Sequence, residues 1–117
     1  MEYTPIDANS VNILGTEYII LKRSERDDKR LNNCDGYCDW TTKQIVVEQE
    51  MNGNLGDMDC YMKKVLRHEI VHAFAIESGL HECSGEAEAW AANETTVDWF
   101  AIQSPKIFKV FQELDIL

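Results

Sequence analysis

Residues Asp59 to Gly79 read DCYMKKVLRHEIVHAFAIESG, and this stretch decides the fold class. Tyr61, Met62, Val65, Leu66, Ile70, Val71, Phe74 and Ile76 recur at helical spacing and reach nearly every face of the helix. A helix apolar all round is a buried one, so a central helix is expected from about Asp59 to Ser78. Asp57 or Asp59 suits its N-cap, and Gly79 suits the residue just past its end.

Working outward, the chain before this helix reads as strands. Thr16 to Lys22 is β-rich and bounded by Gly15 and a charged stretch. Gly36 to Trp40 and Gln44 to Glu48 read as two short strands, with Thr41-Thr42-Lys43 as the hairpin turn between them. Residues 1–15 read as an irregular entry, Ser24 to Asn33 as a solvated loop or short exposed helix, and Asn52 to Asp57 as a loop. After Gly79 the pattern is helical again. A second helix is expected from Ser84 towards Gln103, with Glu86 and Glu88 in its first turn, where acids suit the dipole. Ser104-Pro105 then opens a third helix carrying Ile107, Phe108, Val110, Phe111 and Leu114. Strands first and helices after give an α+β fold, with a small, mainly antiparallel sheet followed by three helices.

The composition narrows the function. The 117 residues suit a single domain spanning 1–117, and 44% hydrophobic content suits a packed core. A net charge of −10 argues against nucleic acid and anionic lipid as partners. No basic-then-apolar leader opens the chain, and no apolar run approaches the roughly 20 residues of a membrane span. The expectation is a cytoplasmic protein whose Cys34, Cys38, Cys60 and Cys83 are scattered thiols, with Cys38 on a strand edging the active cleft.

The chemistry lies in His68-Glu69-Ile70-Val71-His72, which holds two of the three histidines. His68 and His72 are i and i+4, so both rings leave one face of the helix, one turn apart. Two imidazoles so placed reach one Zn²⁺ at about 2.0–2.1 Å each. Glu69, about 100° further round, is set to act on a metal-bound water as general base. The bland alternative is two satisfied core histidines. Burying two histidines and a glutamate on an apolar helix without a shared partner is costly.

A catalytic zinc takes three protein ligands and leaves a fourth position open. The continuation with Gly three and His six residues after the second histidine is absent, since Ala75 and Ser78 stand there. Glu94 is the expected third ligand, on a face it shares with Asp98 and near Trp90, Val97 and Ala101. Asp98 then accepts an N–H from a ligating imidazole and orients it. His81, just past Gly79, is the alternative ligand. Tyr37, Tyr61, Arg67 and His81 stay open as donors to a developing oxyanion.

Arg67-His68-Glu69-Ile70-Val71-His72 followed by Asn93-Glu94-Thr95-Thr96-Val97-Asp98 resembles the gluzincin pattern. More narrowly, the chain is similar to small phage and prophage metallopeptidases near the ImmA/IrrE group. Glu94, then Phe100-Ala101, then Pro105 follow that group's spacing, and the Gly36-Tyr37-Cys38-Asp39 strand and its hairpin fit it too. The similarity covers roughly residues 35–108. It implies a minimal zincin-like domain and zinc-dependent hydrolysis of peptide bonds in an intracellular protein substrate. The rival class is a catalytically silent module in which zinc only holds two helices together for a protein partner. Retention of Glu69 weighs against it.

Overall fold

A computed structural model describes residues 9–49, 55–83 and 94–117. The expected hairpin is present. Strands β3 (Gly36–Asp39) and β4 (Gln44–Glu48) pair antiparallel, with Tyr37 opposite Val46 and Cys38 opposite Ile45. Lys43 closes the turn in the left-handed region at φ 57°. The expected strand at Thr16 is also present as β2 (Thr16–Arg23).

The entry segment differs from expectation. Part of the entry segment is a strand, β1 (Asn9–Ile13), antiparallel to β2. Leu14 at φ 53° and Gly15 at φ 93° form the turn between them, and the Gly15 N–H donates to the Asn12 side chain at 2.8 Å. The sheet is mainly antiparallel, as expected, with one parallel pair. Its order is β1-β2-β4-β3, and β2 pairs β4 in parallel, with Ile20 opposite Ile45. The chain leaves β2, runs out to the edge as β3 and returns between them as β4.

The domain is α+β. Helix α1 (Met58–Glu77) crosses the sheet, capped by the Asp57 side chain accepting the Cys60 N–H at 3.0 Å. It stops at Gly79, whose φ of 85° costs a glycine little. Its burial is one-sided, against the expectation of burial all round. Val65, Glu69, Ile70, Ala73 and Phe74 are buried, while Val71 is 38% exposed. The buried stripe meets Ile13, Tyr18, Ile20 and Ile45 of the sheet. It also meets Ile107, Val110 and Phe111 of α3 (Glu94–Glu113). Between α1 and α3 lies the short α2 (Leu80–Cys83).

Helix α3 corrects a second expectation, because it runs unbroken through Ser104 and Pro105. Pro105 lies on an exposed face, so the missing N–H is tolerated while Ile107, Val110 and Phe111 bury. The expected N-cap Ser84, Glu86, Glu88, Trp90 and the loop at 52–54 lie outside the described residues.

The segment after β2 is not simply solvated. A 3-10 turn at Lys29–Asn32 buries Leu31 against Leu21 and Val46 on the sheet's other face. Asp28 caps this turn, accepting the Arg30 N–H at 3.1 Å and the Tyr37 hydroxyl. Glu77 does a similar job at the end of α1. Its carboxylate accepts from Thr16 at 2.9 Å, the buried Tyr18 hydroxyl at 2.7 Å and Lys43 at 2.8 Å. Among the described residues no helix is long and apolar enough to cross a membrane.

Candidate functional site

Helix geometry puts His68 and His72 side by side on the face of α1 turned from the core, and both are exposed. Their Nε2 atoms lie 3.1 Å apart, with ring centroids at 4.7 Å and planes crossing at 75°. Two nitrogens bound tetrahedrally to one zinc would stand about 3.3 Å apart, from bonds of about 2.0–2.1 Å. The two rings are within hydrogen-bond distance of each other, and that spacing is also close to what one small cation would need. Burial, then the nearby charges of His68 and His81, lower the pKa of His72. This favours the neutral ring, which is the form that binds metal.

Glu69 lines the same groove as the two histidines but is only 6% exposed. Burial alone pushes its carboxyl up from 4.5 to about 7. A carboxyl titrating near neutrality is suited to exchanging protons at physiological pH.

The three residues share a groove of about 500 Å³ between α1 and the edge strand β3. Its far wall includes Tyr37, Cys38 and Trp40, and its end carries His81. Gly36 sets how closely the walls approach. A Cβ there would sit 2.9 Å from the Val46 carbonyl oxygen and 3.1 Å from Val65 Cγ1. Cys38 lines the groove as expected of its strand. Burial, then the charge of Glu69, push its thiol up to about 12, so it stays protonated. Cys34 and Cys60 are free and exposed.

Three of the four candidate oxyanion donors are committed elsewhere. The Tyr37 hydroxyl donates to Asp28 and that of Tyr61 to Asp35 at 2.5 Å. Arg67 donates to the Ile116 carbonyl at 2.6 Å, tethering the C-terminus. His81, the fourth, lines the groove and has an interaction of its own as well. Its arrival depends on the turn at Ser78-Gly79, which sends α2 back towards α1.

The expected acidic residues stand differently. Glu94 is the first residue of α3, and its side chain lies outside the described set. Asp98 is exposed and does not line the groove. Helix α3 runs antiparallel to α1. Near its start, the Trp99 indole N–H donates to Ser78 at 2.7 Å. Further on, Phe111 joins Lys64, Arg67, His68, Val71 and His72 around a second hollow of about 350 Å³. Among the described residues, no three His, Cys, Asp or Glu side chains draw together closely enough to hold a metal. The structure therefore joins His68, Glu69, His72 and His81 in one groove.

Compared with known protein families, with curated proteins and with solved structures, the chain matches none of them.

Proposed function

We propose that the chain is a zinc-dependent metallopeptidase acting on an intracellular protein in the cytoplasm. The observation that carries this is the 3.1 Å approach of the His68 and His72 Nε2 atoms, beside the buried Glu69, in an open groove. Zinc bound there would supply a water acidified towards a pKa of about 7 and would polarise the scissile carbonyl. His68 and His72 would hold the ion. Glu94 is the third ligand on the sequence pattern, with Asp98 orienting an imidazole. The Glu69 carboxylate accepts a proton from the attacking water and returns it to the departing amine. Edge strand β3 offers its outer backbone groups to an extended substrate, which would run past the histidines as an added strand. The exposed Trp40 stands at the end of that strand, against the substrate's side chains. The charge of −10 suits a protein partner and not nucleic acid.

The test combines metal content with hydrolysis of a mixed peptide library. About one zinc per chain is expected by elemental analysis, lost in His68→Ala and kept in Glu69→Gln. The Glu69→Gln variant should cleave at least about 100-fold more slowly. Equal cleavage by that variant refutes the role of Glu69. A chain that refuses supplied zinc refutes the reading outright. Zinc bound by wild type without hydrolysis favours the zinc-stabilised binding module.

A further inference from the structure

We propose that the hollow between α1 and α3, beside the histidine pair, binds a segment of the substrate protein that carries a large apolar side chain with a carboxylate next to it. The inference rests on the hydrolase reading above and names the substrate class of that same site.

Placement supports it first. The hollow of about 350 Å³ is lined by Lys64, Arg67, His68, Val71, His72 and Phe111. Lys64, His68 and His72 also line the groove of about 500 Å³ towards β3. The pair therefore stands on the ridge between the two. Around the axis of α1, Arg67 and Val71 lie on the α3 side of the pair, and Val65 and Glu69 on the β3 side. Neighbouring side chains of an extended chain leave it in opposite directions. A polypeptide held over the histidines can thus set one side chain in the groove and the next in the hollow.

The lining supports it second. Val71, 38% exposed, and Phe111 give the hollow apolar walls. From Phe111 the apolar surface continues along α3 through Phe108 and Phe100, with ring centroids 6.3 and 6.5 Å apart. Phe108 and Phe100 are exposed, and exposed apolar residues in a row mark a surface that another molecule covers. Charge indicates which molecule. Lys64 is exposed and stands 5.8 Å from the centre of the Tyr61 ring, while Arg67 is held by the neutral Ile116 carbonyl at 2.6 Å. Among the described residues no carboxylate forms an ion pair with either. Residues 60–76 and 99–112 carry Lys63, Lys64, Arg67, Lys106 and Lys109, and their one acid is the buried Glu69. This is a cationic face on a chain of net charge −10. An acidic residue beside the apolar one is attracted to this face and repelled by the rest of the surface.

The experiment measures binding of short labelled peptides to the full chain by fluorescence anisotropy, with a chelator present so that no hydrolysis interferes. Each peptide carries one central Phe in a Ser and Gly background, flanked by Glu, by Gln or by Lys. A fourth has Ala in place of Phe between Glu residues. The Glu-flanked Phe peptide should bind at least about fivefold tighter than the Gln-flanked one and at least about tenfold tighter than the Ala one. Lys64→Glu should abolish the preference for Glu. Lys29→Glu makes the same charge change at the 3-10 turn on the sheet's other face and should leave it in place. Val71→Asn should weaken the preference for Phe. Equal affinity for the Glu-flanked and Gln-flanked peptides, or equal losses in Lys64→Glu and Lys29→Glu, overturns the proposal. Binding to vesicles of anionic phospholipid, with none to the peptides, overturns it as well. Zinc is then supplied in place of the chelator. Cleavage of a mixed library without preference for apolar residues beside acidic ones overturns this proposal and leaves the hydrolase reading intact. The binding preference without any cleavage overturns the hydrolase reading and keeps the hollow as a peptide site.

Discussion

Replacing Glu69 with glutamine should make the metal-free protein more stable, and increasingly so as the pH rises. The carboxyl is buried, and burial moves its folded-state pKa from 4.5 to about 7. Below 4.5 both states hold the proton and the difference vanishes. Between the two values the unfolded chain releases a proton that the folded chain retains. Unfolding therefore gains about 1.4 kcal/mol per pH unit from this group. Above about 7 both states are ionised, and the accumulated penalty levels off near about 3 kcal/mol. The glutamine variant escapes this penalty. Whatever its amide costs in the same place does not depend on pH. His72 titrates in both proteins and cancels, since Glu69 is not among the causes that shift it. The assay is urea unfolding of both proteins with a chelator present, from pH 4.5 to 8.5. The stability gap should open across that window and then flatten. A gap that stays constant with pH would show that Glu69 is hydrated in the folded chain, and the argument from burial would fall.

Three further perturbations probe the frame around the groove. Gly36→Ala places a Cβ 2.9 Å from a carbonyl oxygen and 3.1 Å from Val65, so it should cost about 1–3 kcal/mol. An unchanged urea midpoint would contradict that close approach. Glu77→Gln should cost about 1–3 kcal/mol, because the buried Tyr18 hydroxyl loses its charged acceptor. The loss combined with Tyr18→Phe should fall short of the sum, and strict additivity would show that the bond contributes nothing. The hydrogen bond from Lys43 outweighs the upward push of burial and, with those from Tyr18 and Thr16, holds the Glu77 pKa below 4.5. Its contribution is therefore complete above that pH and lost as the pH falls through the lower folded value. Pro105→Ala restores a donor inside α3 and should add about 1–3 kcal/mol, with a lower thermal midpoint as the contrary result.

The sequence showed most of what is local and little of what is tertiary. β2 and β4 were readable from their β-branched residues, and β3 from Tyr37 and its place one turn before β4. β1 was not, because only Val11 and Ile13 are apolar in it; both are buried, and the pairing with β2 makes the strand. The parallel contact of β2 with β4 is a matter of strand order, which periodicity does not carry. Leu31 was hidden inside a charged stretch, where a single apolar residue covers a sheet face. Pro105 reads as a helix start, yet the apolar stripe that continues through Ile107 and Phe111 kept one helix intact. Val71 reads as core, but the face it shares with the histidines was left open. At the candidate site, His68, Glu69 and His72 were legible because one helix holds all three. Bringing His81 beside them took a turn whose direction depends on Gly79 and on Trp99 from another helix. Glu94 and Asp98 were chosen from a helical face, and the side chain of Glu94 is not described.

The return of β4 between β2 and β3 has a kinetic consequence. Gly36 to Glu48 can close locally as a hairpin within microseconds, but its union with β2 must wait for the intervening chain to loop back. The hairpin therefore docks as a preformed unit, with β4 as the adhesive strand and β3 carried along on the outside. A docking error of one residue would turn every side chain of both strands to the opposite face. Cys38 would leave the groove, and the histidine pair would lose its opposite wall, although α1 itself was fully formed. The groove is in this sense a late product of folding. Destabilising the β2–β4 seam, for example with Leu21→Ala, should slow its appearance more than it slows helix formation. Stopped-flow comparison of helical signal with the fluorescence of a Trp90→Phe/Trp99→Phe chain, which keeps Trp40 alone, would separate the two events, and coincident traces would contradict this order.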